Sequence, residues 1–341
     1  MSNFWQKLKK NNKPFFVLAP MDDVTDVVFR QLICTTAKPD VLFTEFTNVD
    51  GLNSKGQDKL MPRLLFEPNE HPIVAQIWGQ NPENYFKTAQ MLVEMGFDGI
   101  DINMGCPVSK VVRSGSCGGL IREPERAKEI ILATREGAAE KIPVSVKTRI
   151  GDKEIATEEW IGFLLSLKLD ALTVHGRTVK EQSKVPAHWD EIAKAVALRD
   201  KSQESSVNPD PDKVGTGLIG VKETVIIGNG DVISYQDGLV KAKTSGVDGI
   251  MIGRGVFQNI FVFDPAKTNA DLSVQERMDL LTRHTQMFVA RWGNTKNFNI
   301  LKKFFKIYAS DFEGASELRV NLMETKNLEE VESVIHNFNH G

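Results

Sequence analysis

Two of the three cysteines in this chain flank one short polar loop. The stretch INMGCPVSKVVRSGSCGG covers residues 102–119 and holds Cys106 and Cys117, whereas Cys34 lies far from it in sequence. A disulfide, a metal site, a catalytic thiol and simple packing are the four roles to compare. The N-terminal stretch MSNFWQKLKKNNKPFF is basic but has no apolar core before a small-residue cleavage site. We therefore expect a cytoplasmic protein, and cytosolic thiols stay reduced.

A metal site is also disfavoured at this loop. Cys106 and Cys117 lie eleven positions apart without a CxxC pair, and the nearest histidines, His71 and His175, are distant in sequence. We therefore expect no metal here. A catalytic role and a packing role both remain open for the two thiols on this evidence.

Polar residues also stand at the ends of a series of short apolar, β-branched runs. Barrel enzymes place their chemistry at the carboxyl ends of their strands. One polar strand end means little, but eight of them predict a concave polar rim. The residues at these ends are Pro20, Met21, Asp22, Glu45, Gln76, Asn103, Lys147, Thr148, Arg149, His175, Gly176, Arg177, Asn229, Gly230, Asp231, Gly253 and Arg254.

The last two strand ends carry glycine motifs that suit a phosphate. GNGD covers residues 228–231 and GRG covers residues 253–255. Their glycines would let backbone N–H groups approach a ligand, and Arg254 could make a bidentate charge-assisted contact. Glycines that serve only tight turns are the alternative. Barrels often bind phosphate after strands seven and eight, so the two motifs together favour a phosphate site.

Three further side chains are predicted to face the same mouth. Lys147, His175 and Gln76 each have an ordinary structural explanation when considered singly. Together they suit a flat electron-accepting ring, since cations stabilise its reduced anionic form and an amide pairs with its edge. The set predicts flavin mononucleotide rather than a metal, because acidic and histidine ligands are too few.

A repeating unit of short strand and longer helical stretch must position these residues. Eight such units over about 250 residues predict a (β/α)8 TIM barrel. A doubly wound sheet is the alternative, but no GxGxxG phosphate loop follows the first strand. The predicted strands cover residues 15–20, 41–46, 72–78, 98–103, 143–149, 170–176, 224–230 and 248–255.

The strand signal stops near residue 265. We predict an FMN-binding barrel domain over residues 1–265 and a small all-helical domain over residues 266–341. Ser273 and Glu276 form a predicted capping box at the start of the first C-terminal helix. The polar stretch 199–217, rich in Pro, Gly and Ser, is predicted as a functionally quiet excursion on the face opposite the chemistry.

Charge is distributed unevenly along the chain. The formal net charge is −3, so no global basic field indicates nucleic acid. Residues 291–306 are nevertheless basic and contain no acid, and the following stretch to Glu332 is acidic. A local basic face can bind phosphates, although a solvated helix face is the simpler explanation of the charge alone. No run is long and apolar enough for a membrane span, and no obligate protein partner is implied.

With these residues assembled, the chain resembles the tRNA-dihydrouridine synthase family. The resemblance covers roughly residues 14–262 and keeps the family order of its segments. It implies an FMN-dependent reductase in which NADPH (or NADH) reduces the flavin, which then reduces the C5–C6 bond of a uridine in tRNA. The matching segments are LAPMDDVTDVVFR, VAQIWGQNPE, GIDINMGCPVSK, SGSCGGLI, VKTRIG, LTVHGRT, IIGNGDV and GIMIGRG.

The resemblance also implies residue roles. Cys106 matches the family's proton donor: hydride from flavin N5 adds at uracil C6, and the Cys106 thiol protonates C5. Cys117 stands where the family often has a small residue, so we assign it to packing, and an effect on loop chemistry is the alternative. The implied FMN contacts are Pro20, Met21, Asp22, Gln76, Lys147, His175, Asn229, Gly230, Asp231, Gly253 and Arg254.

The resemblance also implies that the helical domain over residues 266–341 binds tRNA, and candidate tRNA contacts follow from it. Asn103 is expected to face the uracil, whereas Phe304 and Phe305 are expected in the core because helical aromatic pairs usually pack. Two other functions are alternatives to the tRNA reductase. One is an FMN barrel of the dihydroorotate-dehydrogenase type, and the other is a non-catalytic RNA-binding or chaperone barrel. The full set of candidate substrate contacts is Asn103, Arg177, Lys302, Lys303 and Lys306.

Overall fold

Nine short parallel strands form the centre of the molecule. The computed structural model describes residues 3–11, 13–207 and 223–340. The strands in this part of the chain are β1 Phe15–Leu18, β2 Leu42–Phe43, β3 Thr47–Asn48, β4 Ile73–Trp78, β5 Gly99–Met104, β6 Val144–Arg149, β7 Ala171–His175, β8 Val225–Asn229 and β9 Gly249–Ile252.

These strands close into the predicted barrel. The hydrogen-bonded order is β1-β9-β8-β7-β6-β5-β4-β2, and β3 pairs with β4 beside β2. A parallel bridge between Val17 and Val41 joins β1 to the approach of β2, and Leu18 N donates to Val41 O at 3.1 Å. The (β/α)8 prediction is therefore confirmed, with β2 and β3 sharing one of the eight positions.

The predicted strand over residues 41–46 is wrong in detail. It is broken into β2 and β3, which pair with β4 at separate registers. Thr44 explains the break, because its hydroxyl accepts a hydrogen bond from Gln76 N at 3.2 Å in place of a backbone carbonyl and donates to Glu45 O. Side-chain groups that bond the backbone locally compete with a strand ladder in this way.

Helices surround the strands and continue beyond them. The barrel helices are α1 Phe4–Lys9, α2 Val27–Thr36, α3 Val49–Leu52, α4 Gln57–Leu60, α5 Pro82–Glu94, α6 Ser109–Arg113, α7 Pro124–Ala138, a π-helical turn at Thr157–Ile161, α8 Gly162–Ser166, α9 Trp189–Val207 and α10 Tyr235–Ser245. The C-terminal helices are α11 Val274–Trp292, α12 Phe305–Tyr308, α13 Ala315–Glu324 and α14 Leu328–His340. Short 3-10 turns lie at Met61–Leu64, Pro68–Glu70, Cys117–Arg122, Arg254–Phe257, Asn269–Asp271 and Phe298–Phe304.

Helix α9 corrects the predicted excursion over residues 199–217. The helix continues to Val207, so residues 199–207 are helical. Their sequence, RDKSQESSV, has neither Pro nor Gly, and the first proline of the segment is Pro209. The rest of the predicted excursion lies outside the described residues.

Two apolar cores stabilise the barrel. The inner core includes Val17, Phe43, Val74 and Met251 and is closed by Trp5 of α1, which is fully buried. The outer core lies between the strands and the surrounding helices and extends into the C-terminal helices without a break. Because the two parts share this core, the domain boundary at residue 265 stays a prediction.

The C-terminal helices pack beside the start of α2. Phe304 stacks on Phe29 with ring centroids 4.9 Å apart, and Phe304 and Phe305 are both buried as predicted. Trp292 Nε1 donates to Asp26 Oδ2 at 2.8 Å. The predicted capping box at the start of α11 is confirmed. No helix among the described residues is long and apolar enough to cross a lipid bilayer.

Candidate active site

A cavity of about 520 Å³ opens at the carboxyl ends of the strands. Such a position is where barrel enzymes bind their ligands. Apolar residues such as Met21, Met251 and Ile233 line it together with cations. Nine of the eleven residues predicted to hold the cofactor line this one cavity, namely Pro20, Met21, Lys147, His175, Asn229, Gly230, Asp231, Gly253 and Arg254.

One end of the cavity is cationic and organised by Asp231. This carboxylate pairs with Arg177 and, at 2.9 Å, with Arg254, and it accepts a hydrogen bond from Ala187 N at 2.9 Å. Partial burial opposes ionisation, but these contacts hold the pKa of Asp231 below its ordinary value. Two arginines thus stay extended at the cavity, where they suit an anion such as a phosphate.

Gly230 and Gly253 leave room at the same end. Gly230 has φ +132°, a region that disfavours side chains, and an added Cβ would lie 2.6 Å from Ala187 Cβ. At Gly253 a Cβ would have Ala19 Cβ at 3.5 Å and Met21 Sδ at 3.7 Å as its nearest neighbours. The cavity wall is therefore bare backbone here, which is what a closely bound phosphate requires.

Lys147 and His175 also line the cavity, and His175 adjoins the Arg177–Asp231 pair. Burial lowers the pKa of Lys147 to about 8, and nearby Arg149 adds to this effect. Burial and the surrounding cations hold the pKa of His175 well below its ordinary value, so the imidazole is neutral. Arg177 Nη1 lies 3.2 Å from His175 Nε2. Because an arginine can only donate, Nε2 accepts and the ring proton resides on Nδ1.

Cys106 lies in the loop that follows β5, next to the strand that carries Lys147. Asn103 is paired with Lys147 in the β5–β6 ladder, and its Oδ1 accepts from Gly105 N and Cys106 N at 3.0 Å each. A side-chain hydrogen bond with Cys117 lowers the pKa of Cys106 to about 7, although burial opposes the shift. The Cys106 side chain remains partly exposed.

Gln76 lies outside the cavity lining. It was predicted to bind the flavin ring, but its side chain is fully buried and does not line the cavity. Its amide donates to Asp101 Oδ2 at 2.8 Å, and its carbonyl accepts from Asn103 Nδ2 at 3.0 Å. In this arrangement Gln76 supports Asn103, and Asn103 itself uses its carbonyl to hold the Cys106 loop.

Asp22 and Arg177 also occupy other positions than predicted. Asp22 is exposed outside the cavity lining and pairs with Arg63. Arg177, a predicted tRNA contact, is only 2% exposed and donates to Val185 O at 2.6 Å. Because its remaining contacts are Asp231 and His175, it organises the cationic end of the cavity and is not available to an RNA surface.

Of the three predicted tRNA lysines in the C-terminal region, Lys303 contacts the barrel. Lys303 Nζ donates to Asp23 O at 3.0 Å, in the loop between β1 and α2. Lys302 Nζ donates to Met323 O at 2.5 Å, and Lys306 is exposed. Both acceptors are neutral carbonyl oxygens, so these hydrogen bonds do not neutralise the positive charges of Lys302 and Lys303.

Two further residues support the site: Arg149, which the sequence placed at a strand end without assigning it a role, and Asp101, which sequence reasoning missed. Arg149 Nε donates to Gly105 O at 2.7 Å, and its Nη1 donates to Thr178 O at 3.0 Å. It therefore ties the Cys106 loop to the loop after β7. Asp101 is fully buried, and burial raises its pKa to about 6. The alternation of Asp101 and Asn103 on one face of β5 was the available sequence signal.

An acidic cluster lies beside the mouth. Oxygen atoms of Asp22, Asp23 and Glu45 approach within 4.8 Å of one another. Arg63 lies 3.4 Å from Glu45, and Lys296 Nζ lies 3.5 Å from its other oxygen. These cations compensate the carboxylates, so the cluster serves as an anchor between the barrel and the C-terminal helices.

Comparisons with known proteins agree with this geometry. The family model described as Dihydrouridine synthase (Dus) matches residues 17–199 and 219–339. A Staphylococcus aureus (strain Mu50) protein named "Probable tRNA-dihydrouridine synthase" is 42% identical over 339 residues, covering 98% of this chain and 95% of the relative. A Bacillus subtilis (strain 168) protein named "Probable tRNA-dihydrouridine synthase 2" is 43% identical, covering 98% and 96%.

Solved structures with a similar barrel include two larger enzymes. Histamine dehydrogenase from Rhizobium sp. 4-9 superposes with a TM-score of 0.51 at 12% identity, covering 80% of this chain and 48% of that one. A 2-naphthoyl-CoA reductase gives 0.50 at 10% identity, with 73% and 49% covered. This chain thus spans about half of each, and the likeness shows the barrel fold alone.

Proposed function

From its membership of the dihydrouridine synthase family, we propose that this chain reduces uridines of tRNA to 5,6-dihydrouridine. We propose FMN as the bound flavin and NADPH as the reductant. One observation carries the proposal. The Cys106 thiol, with its pKa lowered to about 7 chiefly by a hydrogen bond with Cys117, lies within electrostatic range of Lys147, which lines a cavity suited to a phosphorylated flavin.

The cavity residues would hold FMN by two ends. Arg254 and the bare backbone at Gly230 and Gly253 would receive the phosphate. Lys147 would offer its positive charge to the ring, and the neutral His175 would offer its Nδ1 proton as a donor. When bound and reduced, FMN would supply the hydride for C6 of the uracil.

The protein itself supplies the proton. With its pKa near 7, about half of the Cys106 thiol is protonated at neutral pH, and it is a stronger acid than an ordinary cysteine. Asn103 fixes the loop backbone at Gly105 and Cys106, so the sulfur is held in place for C5 of the pyrimidine. Since Cys106 is partly exposed, solvent can return the proton after product leaves.

The C-terminal region would present the RNA to this site. Lys303 contacts the carbonyl of Asp23 at the mouth, so its cationic face continues directly from the cavity rim. A uridine must leave its base stack to reach Cys106, as bases do in other enzymes that act on nucleic acids. The Dus match includes residues 219–339, so the helical region is part of what this chain shares with the family.

The alternative functions make different demands on the chain. A dihydroorotate-dehydrogenase type of enzyme acts on a free pyrimidine and would not need the basic face of Lys302, Lys303 and Lys306. A barrel without catalysis would not need an acidified Cys106 thiol. The family match and the Cys106 environment both support the tRNA reductase.

A two-step anaerobic assay tests the proposal. The purified protein should contain FMN, and NADPH should bleach its flavin absorbance. Adding unmodified tRNA should then reoxidise the flavin and form dihydrouridine, detected by mass spectrometry of the digested RNA. Orotate should not reoxidise it, and reoxidation by orotate but not by tRNA would favour the free-pyrimidine enzyme.

Cys106→Ala is the decisive variant. It should bind FMN and be bleached by NADPH as the wild type is, yet form no dihydrouridine, because the proton donor is lost. Cys34→Ala is the matched control, since Cys34 lies in α2 and burial raises its pKa to about 11. Near-normal turnover by Cys106→Ala would remove the assignment of Cys106 as proton donor.

A further inference from the structure

The second cysteine of the catalytic loop lies against the first. Cys117 opens the 3-10 turn Cys117–Arg122, is only 1% exposed, and has φ +51°. The Cys117 and Cys106 thiols are close enough that a side-chain hydrogen bond between them shifts the pKa of each. The chain between them folds back through α6, so residues eleven positions apart in sequence become neighbours.

The backbone around Cys117 is closed tightly onto Cys106. Gly118 N donates to Cys106 O at 3.3 Å. A Cβ at Gly118 would lie 2.9 Å from Cys106 O and 2.8 Å from Val179 Cγ2, and one at Gly119 would lie 2.6 Å from Val112 O. No side chain fits at either glycine, so the turn can approach Cys106 closely and hold the Cys117 thiol there.

The direction of the S–H···S hydrogen bond follows from burial. Burial raises the pKa of Cys117 well above its ordinary value, and the adjacent Cys106 raises it further. Cys117 therefore keeps its proton, so it donates and Cys106 accepts. The buried phenol of Tyr85, whose pKa is itself raised by burial, lies within electrostatic range of Cys117.

The other groups around Cys106 act less strongly. Among charged groups, Arg149 favours its thiolate and Asp22 opposes it. Lys147 is also within electrostatic range of the Cys106 sulfur. The Val108 backbone N–H donates to the sulfur as well. The Cys117 thiol is the largest of these influences.

Given the proposed function, we propose that Cys117 is a positioning residue for proton transfer. Its buried thiol donates a hydrogen bond to Cys106 Sγ. This hydrogen bond strengthens as Cys106 gives its proton to the substrate and becomes a thiolate. The sulfur–hydrogen bond of Cys106 breaks and a carbon–hydrogen bond forms at C5. The negative charge then resides on Cys106 Sγ, where the Cys117 donor stabilises it. Packing alone would require only the volume of the Cys117 side chain.

The thiolate fraction of Cys106 is the direct readout. Its pKa is lowered from the ordinary 9.0 to about 7, and loss of the Cys117 donor should move it back upward. A complete return would reduce the thiolate fraction at neutral pH by roughly fifty-fold. Because Arg149 and the Val108 N–H remain in the variant, we expect a decrease of roughly tenfold.

Alkylation of the intact, FMN-containing protein measures this fraction. Iodoacetamide is added across the neutral pH range, and the rate at Cys106 is followed by mass spectrometry of its peptide. Cys117→Ala should react roughly tenfold more slowly at pH 7 and reach half-maximal rate at higher pH. Cys117→Ser keeps a donor of similar size and should stay near the wild type, whereas Cys34→Ala should not change the rate.

The outcomes separate this inference from others. An unchanged alkylation midpoint in a folded, flavin-containing Cys117→Ala would overturn it. A wild-type midpoint near that of an ordinary thiol would also overturn it, even if the variant could not be purified. The alkylation needs neither NADPH nor tRNA, so it remains decisive if the proposed reaction fails.

The pH profile of turnover gives a second readout. In Cys117→Ala the weaker acid donates more slowly, but more of it is protonated at neutral pH, so activity there should remain within a few-fold of the wild type. Above pH 8 the wild type should lose activity as Cys106 ionises, while the variant should retain it. Parallel profiles for the two proteins would assign Cys117 to packing only.

Discussion

Replacing Arg254 by alanine should weaken FMN binding far more than riboflavin binding, because the two ligands differ only in the phosphate. Arg254 lines the cavity beside Gly253 and is held by Asp231 at 2.9 Å. A hydrogen bond between charged groups contributes about 1.5–3 kcal/mol. The Arg254 side chain is 62% exposed, so solvent screening places the loss at the lower end, about 1.5 kcal/mol. That loss is roughly tenfold in Kd.

The assay is a titration of flavin-free protein with each ligand, following the quenching of flavin fluorescence at fixed ionic strength. Arg126→Ala is the matched control, because Arg126 is also exposed and pairs with Glu129 at 2.9 Å but lies outside the cavity. It should bind both flavins as the wild type does. Raising the salt concentration should shrink the difference between FMN and riboflavin.

If Arg254→Ala weakened the binding of FMN and of riboflavin equally, the reasoning would be refuted, since a ring contact or a collapsed cavity would then be responsible. Unchanged affinity for both flavins would also refute it. Asp231 keeps Arg177 as a partner in the variant, so an unpaired carboxylate would not account for the loss.

Two other predictions concern charge. Burial lowers the pKa of Lys147 to about 8, and bound FMN favours the charged form of this lysine. The affinity for FMN should therefore be highest below pH 8 and fall by up to tenfold per pH unit above it. Lys147→Met should remove this pH dependence in FMN titrations, and identical pH profiles for the two proteins would contradict the prediction. Replacing Lys302, Lys303 and Lys306 together by Gln should weaken tRNA binding and lower the slope of log Kd against log salt by about 0.7–0.9 per lost contact. The control Lys87→Gln, in the exposed pair with Glu83, should leave the slope unchanged, and an unchanged slope in the triple variant would make the lysine face purely structural.

Much of the barrel could be read from local patterns. Runs such as DGIDIN and PVSVKTR are apolar and bounded by turn residues, so β5 and β6 appear within one residue of the predicted bounds. The cavity lining was also predictable, because strand order alone brings the carboxyl ends of parallel strands together. The break between β2 and β3 was not, since it depends on how the Thr44 hydroxyl meets β4.

Side-chain partners were decided by the tertiary structure. Gln76 and Arg177 carry groups suited to a ligand, yet each is committed to partners on other strands and loops. A sequence lists the donors and acceptors of such residues but not which of them meet, because partners far apart in the chain are brought together only by folding.

The amino-acid sequence by itself determined the barrel, the positions of its strand ends and the identity of the Cys106 loop, because these follow from short-range periodicity and motif. Only the tertiary structure decided that Cys117 folds back onto Cys106, that Arg149 binds the carbonyl of Gly105, and that Lys303 reaches the mouth of the barrel. The physical reason is distance. Hydrogen bonds and pKa shifts depend on ångström-scale separations between residues that the chain order leaves unspecified.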